Sequence, residues 1–190
     1  MRVIAGTHRG RRLSGPQGTT LRPTSDKVRE ALFSILGNRI PGGRFLDLYA
    51  GTGAVGIEAL SRGATVVTFV ESDPKAVQVM RKNLTACGLL ERAELRVGLT
   101  KTFFKRPQWW NGPYDIVFAD PPYAATEAVD LVLESWEIGL LAENAVMVIE
   151  QDVRATLPTA TDRAHLIRRY DYGDSALFLY APATQDGAAV

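Results

Sequence analysis

The sequence is poor in the side chains that form disulfides and metal sites. It contains one cysteine, Cys87, and two histidines, His8 and His165, in 190 residues. A single cysteine excludes an internal disulfide, and three such side chains spread along the chain do not form a cluster with metal-ligand spacing. We therefore expect no bound metal, and we expect Cys87 to pack as a small apolar side chain.

Long apolar runs are also absent. No stretch approaches the roughly 18 consecutive apolar residues that a membrane helix needs, and Arg2 is not followed by the apolar segment of a signal peptide. Hydrophobic residues make up 46% of the chain and charged residues 23%, which is typical of a globular domain. The sequence predicts a soluble, cytoplasmic protein without membrane contact, and we expect a monomer.

Charge is distributed unevenly along the chain. The formal net charge is +1, but residues 1–44 contain nine lysines and arginines against two acidic residues, so this segment carries +7 and the remainder −6. Lysine and arginine contacts to phosphate supply most of the sequence-independent affinity of proteins for nucleic acids. The basic segment therefore predicts a polyanion-binding arm, with an ordinary solvated surface as the alternative. Its candidate contacts are Arg9, Arg11, Arg12, Arg22 and Lys27.

The pattern of residues divides the chain into an arm, a domain and a tail. Residues 1–23 are rich in glycine and arginine and suggest a β-hairpin or an extended arm, and Thr24 or Ser25 can cap a helix that extends to about Gly37. We expect a basic N-terminal arm over 1–42 that contacts a nucleic acid and covers the active site. A cofactor-binding domain is expected over 43–182, and a disordered tail over 183–190.

From residue 43 onward, short apolar strands alternate with helices. We place strands at 45–49, 65–71, 94–97, 114–119 and 145–150, and helices at 54–62, 74–87, 100–105 and 126–136. Near-continuous apolar strands in this alternation indicate an α/β fold with a parallel sheet covered on both faces. Two further strands, at 165–172 and 175–180, flank the turn Gly173-Asp174, so we expect the sheet to end in an antiparallel hairpin.

A glycine-rich loop follows the first strand of the sheet. Gly51, Gly53 and Gly56 have the spacing that lets a backbone approach a nucleotide cofactor, and Glu71 ends the next strand, where an acid can bind ribose hydroxyls. This spacing fits a nicotinamide dinucleotide as well as S-adenosyl-L-methionine. Asp47 favours the second, because a carboxylate repels pyrophosphate but accepts a hydrogen bond from an amine. The candidate cofactor contacts are Thr24, Asp47, Tyr49, Ala50, Gly51, Thr52, Gly53, Glu71, Ser72 and Leu99.

The motif Asp120-Pro121-Pro122-Tyr123 follows the fourth predicted strand, and we expect it at the same sheet edge as the glycine loop. Two consecutive prolines fix the backbone and have no N–H groups, so their carbonyls stand as rigid acceptors. The exocyclic amine of a nucleobase is a poor nucleophile that must be oriented by such acceptors. Asp120 and the Pro121 carbonyl can take its two N–H bonds, and Tyr123 offers a flat face for the base. The motif predicts a catalytic loop of Asp120, Pro121, Pro122 and Tyr123.

Five segments, 2–6, 8–13, 21–33, 47–60 and 120–123, resemble one family. The sequence is similar to the class I methyltransferases and, within them, to the RsmD-type 16S ribosomal RNA (guanine-N2) methyltransferases of bacteria. Segment Arg22 to Phe33 points to this family, because many amino-methyltransferases share the glycine loop and the proline motif. The resemblance implies a Rossmann-like, seven-stranded sheet with an antiparallel last strand and S-adenosyl-L-methionine as donor. It also implies that the acceptor is N2 of one guanine in 16S ribosomal RNA, on an assembled or assembling small subunit.

One departure from the family pattern concerns the cofactor's adenine. Many class I enzymes have an acidic residue after the third strand that holds the adenine amine, but this chain has Gly98-Leu99-Thr100 there. Backbone groups around Leu99 would then bind the adenine.

Three alternative functions fit parts of the sequence. An enzyme that methylates adenine N6 or cytosine N4 would use the same proline motif, although 190 residues leave little room for a separate DNA-recognition domain. A nicotinamide-dependent oxidoreductase would use the spacing Gly51-x-Gly53-x-x-Gly56. A non-catalytic RNA-binding factor would keep the fold without the chemistry.

Overall fold

The structure is a computed structural model, which describes residues 1–15, 26–122, 133–136 and 138–183. Four helices were found in these ranges: α1 (Asp26–Leu36), α2 (Ala54–Ser61), α3 (Pro74–Cys87) and α4 (Thr100–Phe104). The strands are β1 (Arg44–Leu48), β2 (Val66–Glu71), β3 (Ala93–Val97), β4 (Tyr114–Ala119), β5 (Leu141–Asp152), β6 (Ala164–Tyr172) and β7 (Ser175–Pro182). None of the helices in the described part of the chain has the length and apolar character needed to cross a bilayer.

The seven strands form one sheet in the order β3-β2-β1-β4-β5-β7-β6. The five strands from β3 to β5 in this order pair in parallel, and β7 pairs antiparallel with both β5 and β6. Tyr172 pairs with Ser175, so Gly173 and Asp174 form the predicted two-residue turn. The predicted fold, a mostly parallel sheet that ends in an antiparallel hairpin, is confirmed.

Apolar side chains cover both faces of the sheet. Because successive side chains of a strand point to opposite faces, Phe45 packs in one core layer with α1, α2 and α3, while its neighbour Leu46 packs in the other. The same alternation separates Phe69 from Val70 on β2. The central strands β1, β2 and β4 are buried on both faces, which explains why their sequences are apolar along most of their length.

The N-terminal arm is a hairpin that packs on α2. Arg2 bridges Arg12 in antiparallel orientation, and the Val3 amide donates to the Arg11 carbonyl at 2.9 Å, so the predicted hairpin is confirmed. The carboxylate of Glu58, buried in the middle of α2, accepts hydrogen bonds from the two arm amides of Ile4 and Ala5 at 2.7 and 2.9 Å. All eight residues of α2 are buried, because the sheet covers one side of the helix and the arm covers another, so the arm forms part of the folded body.

Most predicted bounds lie within two residues of those in the structure, and two elements depart further. Strand β5 begins at Leu141 instead of Ala145, because it continues past a register shift in its pairing with β4, between Tyr114 and Ile116. The predicted helix over 126–136 lies mostly outside the described residues, and its last three residues, Glu134–Trp136, form a 3-10 turn. The predicted tail over 183–190 likewise lies outside the described residues, apart from Ala183.

Candidate active site

The carboxyl ends of β1, β2, β4 and β5 bring the predicted site residues to one edge of the sheet. In the register, Leu48 pairs with both Val70 and Ala119, and Ile149 pairs with Ala119. The residues that follow these positions are therefore neighbours, although they lie far apart in the sequence. The edge carries Asp47 and the glycine loop, Glu71, Asp120 with its two prolines, and Glu150 with Gln151.

The glycine loop turns the chain from β1 into α2. Gly51 and Gly53 have φ values of 55° and 79°, which L side chains rarely adopt. A Cβ at Gly51 would meet no atom of the described residues within 4 Å, so these residues leave open space beside the loop. At Gly56 a Cβ would come within 2.2 Å of Cε1 of Phe69, so this glycine lets α2 pack closely against β2. The loop combines a tightly packed base with an open tip.

Asp47 is a buried carboxylate beside this loop. It is 1% exposed, and its Oδ2 accepts a hydrogen bond from the Gly56 amide at 2.8 Å. Burial raises the pKa of Asp47 from its ordinary value of 3.8 to about 7, the Gly56 hydrogen bond opposes this rise, and the negative charge of Glu71 adds to it. A cationic group placed at this edge would stabilise the ionised form of Asp47.

Glu71 holds together the turn at the end of β2. Its Oε2 accepts from the Gly51 amide at 2.7 Å, and its Oε1 accepts from the Ser72 and Asp73 amides at 2.7 and 2.8 Å. The carboxylate therefore links the glycine loop to the start of α3, where Asp73 caps the helix by accepting from Lys75. Each carboxylate oxygen has a further lone pair, so the same group can still accept ribose hydroxyls.

Tyr49 and Leu99 line the same edge. Tyr49 has φ 60°, the one positive φ outside glycine in the described residues, and its side chain hydrogen-bonds Thr100 at the start of α4. A bulky residue in this region is strained, and such strain concentrates at functional sites. Leu99 is 63% exposed, which leaves an apolar surface open to solvent.

Asp120 and the prolines lie between β1 and β5. The Asp120 amide faces the Leu48 carbonyl at 3.5 Å, and Nε2 of the buried Gln151 donates to the Pro121 carbonyl at 3.0 Å. Burial is the main cause that raises the pKa of Asp120 well above its ordinary value, and the negative charges of Glu150 and then Asp47 raise it further. Three carboxylates thus converge at the point where β1, β4 and β5 end.

Comparison with known proteins identifies the family. Residues 1–181 match the model of a family described as conserved hypothetical protein 95. Ribosomal RNA small subunit methyltransferase D of Escherichia coli (strain K12) is 37% identical over 188 residues, covering 97% of this chain and 91% of the relative. The protein of the same name from Haemophilus influenzae is 40% identical over 158 residues, covering 80% and 79%. The chain belongs to the ribosomal RNA small subunit methyltransferase D family.

A solved structure supports the assignment. The structure of the Escherichia coli protein yhhF is similar to this chain with a TM-score of 0.81 and 35% identity, covering 97% of this chain and 99% of that one. As a member of the methyltransferase D family the chain is a methyltransferase, which excludes the alternative of a nicotinamide-dependent oxidoreductase. Among the described residues no group of histidine, cysteine and acidic side chains could hold a metal ion.

The structure places most of the candidate residues of this methyltransferase at or near the predicted edge. The described ones at the edge are Asp47, Tyr49, Ala50, Gly51, Thr52, Gly53, Glu71, Ser72, Leu99, Asp120, Pro121 and Pro122. Thr24, Arg22 and Tyr123 lie outside the described residues. Arg9, Arg11 and Arg12 are exposed on the hairpin, and Lys27 is exposed at the start of α1. These roles stay predictions.

Two buried residues with side-chain amides, which lie outside the sequence motifs, also contact the loops of the candidate site. Gln151 contacts the proline loop, as described above. Asn83 of α3 accepts from the Ser14 amide at 2.8 Å and donates to the Ser14 and Thr52 carbonyls at 3.1 and 3.0 Å. It joins the arm to the glycine loop. Its polar side chain on a buried helix face is the only sequence signal that could have identified it.

Proposed function

We propose that this methyltransferase transfers a methyl group from S-adenosyl-L-methionine to the exocyclic N2 of one guanine in 16S ribosomal RNA, on an assembled or assembling small subunit. The observation that carries the proposal is the placement of Asp120 and the Pro121 carbonyl at the same sheet edge as Asp47 and the glycine loop. The names of the relatives that are 37% and 40% identical support the choice of ribosomal RNA.

The residues of the edge fit the cofactor. Asp47 would accept from the cofactor's amine, the open space at Gly51 admits a ligand to the loop, and Glu71 would accept from the ribose. The exposed Leu99 would form an apolar wall for the adenine, whose polar edge would meet backbone groups of the same segment. When bound, the cofactor supplies an activated methyl group on a positively charged sulfur.

Asp120 and Pro121 would orient the amine. Its lone pair is delocalised into the base, so the two N–H bonds must be held by acceptors that direct the nitrogen toward the methyl group. The ionised carboxylate of Asp120 would be the stronger acceptor for the amine. It would also take up the proton that the nitrogen loses on methylation and pass it to solvent. A guanine reaches this edge only when it has turned out of its stack, and we propose that Tyr123 stacks on it.

The N-terminal arm would contact the RNA. Arg9, Arg11 and Arg12 are exposed on the hairpin, and Lys27 is exposed at the start of α1, so their charges are available to phosphates. In this proposal residues 1–42 bind RNA and cover the active site, while residues 43–182 bind the cofactor. Replacing the three hairpin arginines by alanine should weaken RNA binding and reduce the slope of log affinity against log salt by about 3.

A labelling experiment tests the proposal. Wild-type protein is incubated with S-adenosyl-L-methionine labelled in its methyl group and with small subunits purified from cells that lack the family's enzyme. We expect the label in N2-methylguanosine at one position of 16S ribosomal RNA. Label in adenine, in cytosine or in DNA would overturn the assignment of the acceptor, and tighter binding of NAD than of S-adenosyl-L-methionine would overturn that of the cofactor.

A further inference from the structure

Gln151 is a buried polar residue that neither a sequence motif nor the proposed function explains. It lies next to the end of β5 and is 3% exposed. Its Nε2 donates to the Pro121 carbonyl at 3.0 Å, across 30 residues of sequence. The strand register explains this contact: Ile149 pairs with Ala119, and Gln151 and Pro121 each lie two positions further along.

The proline loop has few hydrogen bonds of its own. Pro121 and Pro122 lack N–H groups, so they cannot anchor the loop by donating to a neighbour. The Asp120 amide is 3.5 Å from the Leu48 carbonyl, at the limit of a hydrogen bond. Among the described residues, the Gln151 amide is thus the side-chain donor that fixes the orientation of the Pro121 peptide.

A carbonyl oxygen has two lone pairs, and the direction of each follows from the orientation of the peptide plane. When one lone pair accepts from Gln151, the other keeps a defined direction for a second donor. We propose that Gln151 is a positioning residue for methyl transfer, which holds the Pro121 carbonyl so that its second lone pair faces the substrate amine. This inference rests on the proposed function, because it assumes that the Pro121 carbonyl binds that amine.

Two variants separate positioning from a merely structural role. Gln151→Leu keeps the approximate size and removes the donor, so the Pro121 peptide loses its anchor. We expect kcat at saturating cofactor and RNA to fall by about tenfold to a hundredfold, the range expected for a small misplacement of reacting groups, while the Kd for S-adenosyl-L-methionine changes by less than about twofold, since Asp47 and the glycine loop are untouched. The matched control is Gln108→Leu, at an exposed position outside the site.

Gln151→Glu gives a pH-dependent readout. The introduced carboxyl can donate to the Pro121 carbonyl when it is protonated, but it repels this oxygen when it is ionised, so the ratio of variant to wild-type kcat should fall about tenfold between pH 5.5 and pH 8.5. Added negative charge alone would have the opposite effect. It would keep Asp120 protonated to higher pH and depress the ratio mainly at low pH.

The outcomes are distinct. Loss of kcat in Gln151→Leu with intact cofactor binding, together with a ratio that falls with pH for Gln151→Glu, supports the proposal. A kcat within about twofold of wild type in Gln151→Leu, or a ratio that is flat or rises with pH, overturns it. If Gln151→Leu does not fold, the pH profile of Gln151→Glu decides alone. Failure of the proposed function is recognised separately, because the wild type would then give no N2-methylguanosine.

Discussion

We expect the buried carboxyl of Asp47 to destabilise the fold of this methyltransferase, although it contributes to cofactor binding. This carboxyl is buried and accepts a backbone hydrogen bond from Gly56, and its pKa is raised from 3.8 to about 7. Asp47→Asn keeps an oxygen that can accept from Gly56 but cannot become charged. We therefore expect this variant to be more stable than the wild type at neutral pH and to bind S-adenosyl-L-methionine much more weakly.

The sign and size of this stability change follow from the pKa of Asp47 in the folded and unfolded states. Between pH 3.8 and about 7 the unfolded chain is ionised at this position while the folded one keeps its proton, so the wild type loses stability as the pH rises and the loss is complete above about pH 7. At 1.36 kcal/mol for each pH step, the cost is about 2 kcal/mol at pH 5.5 and about 4 kcal/mol at pH 8.5. The stabilisation of Asp47→Asn should therefore increase by about 2 kcal/mol between these pH values.

Urea unfolding of both proteins at pH 5.5 and pH 8.5 measures this difference. The matched control is Asp115→Asn, which removes an exposed carboxylate that also accepts from a backbone amide, that of Arg44 at 2.7 Å. For the control we expect the stability difference from the wild type to be the same at both pH values, because solvent reaches the Asp115 carboxyl. A stability difference for Asp47→Asn that is constant between the two pH values, or a loss of stability at pH 8.5, would refute the reasoning.

Three further predictions concern single contacts. Gly56→Ala should destabilise the fold by about 1 to 3 kcal/mol in urea, because the new methyl overlaps Phe69. Glu150→Gln should lower the pKa of Asp120 and shift the acidic limb of the pH–rate profile for methyl transfer to lower pH. If the limb does not shift, Asp120 is not the group whose ionisation produces it. Glu58→Ala should leave two arm amides without their acceptor, and hydrogen exchange at these amides should become faster while the sheet stays protected.

The elements that the sequence predicts well are those with local signals. Helix α3 has the predicted bounds, Pro74–Cys87, because Asp73 caps its start and Gly88, with φ 68°, ends it. The order of strands and helices follows from alternating apolar runs. The start of β5 was predicted four residues late, because polar Glu143 and Asn144 interrupt its apolar run where the pairing with β4 is irregular.

The parts of the site that could not be predicted depend on contacts between distant segments. Gln151 meets Pro121 only because β4 and β5 pair in a particular register. Asn83 meets the glycine loop only because α3 packs beside that loop, and Glu58 meets the arm only because the hairpin docks on α2. None of these contacts leaves a periodic pattern or a spacing in the sequence. The motifs therefore predict which residues face the cofactor, but not which ones hold them in place.

The most direct test of the central claim is a nucleotide-resolution map of methylation in 16S ribosomal RNA. Small subunits from cells lacking the family's enzyme are incubated with S-adenosyl-L-methionine carrying a heavy methyl group and with either wild type or Asp120→Ala, and the RNA is digested and analysed by mass spectrometry. The account predicts one heavy N2-methylguanosine with wild type and its loss with Asp120→Ala, which should still bind the RNA. Heavy methyl on another base, or equal methylation by both proteins, would contradict it.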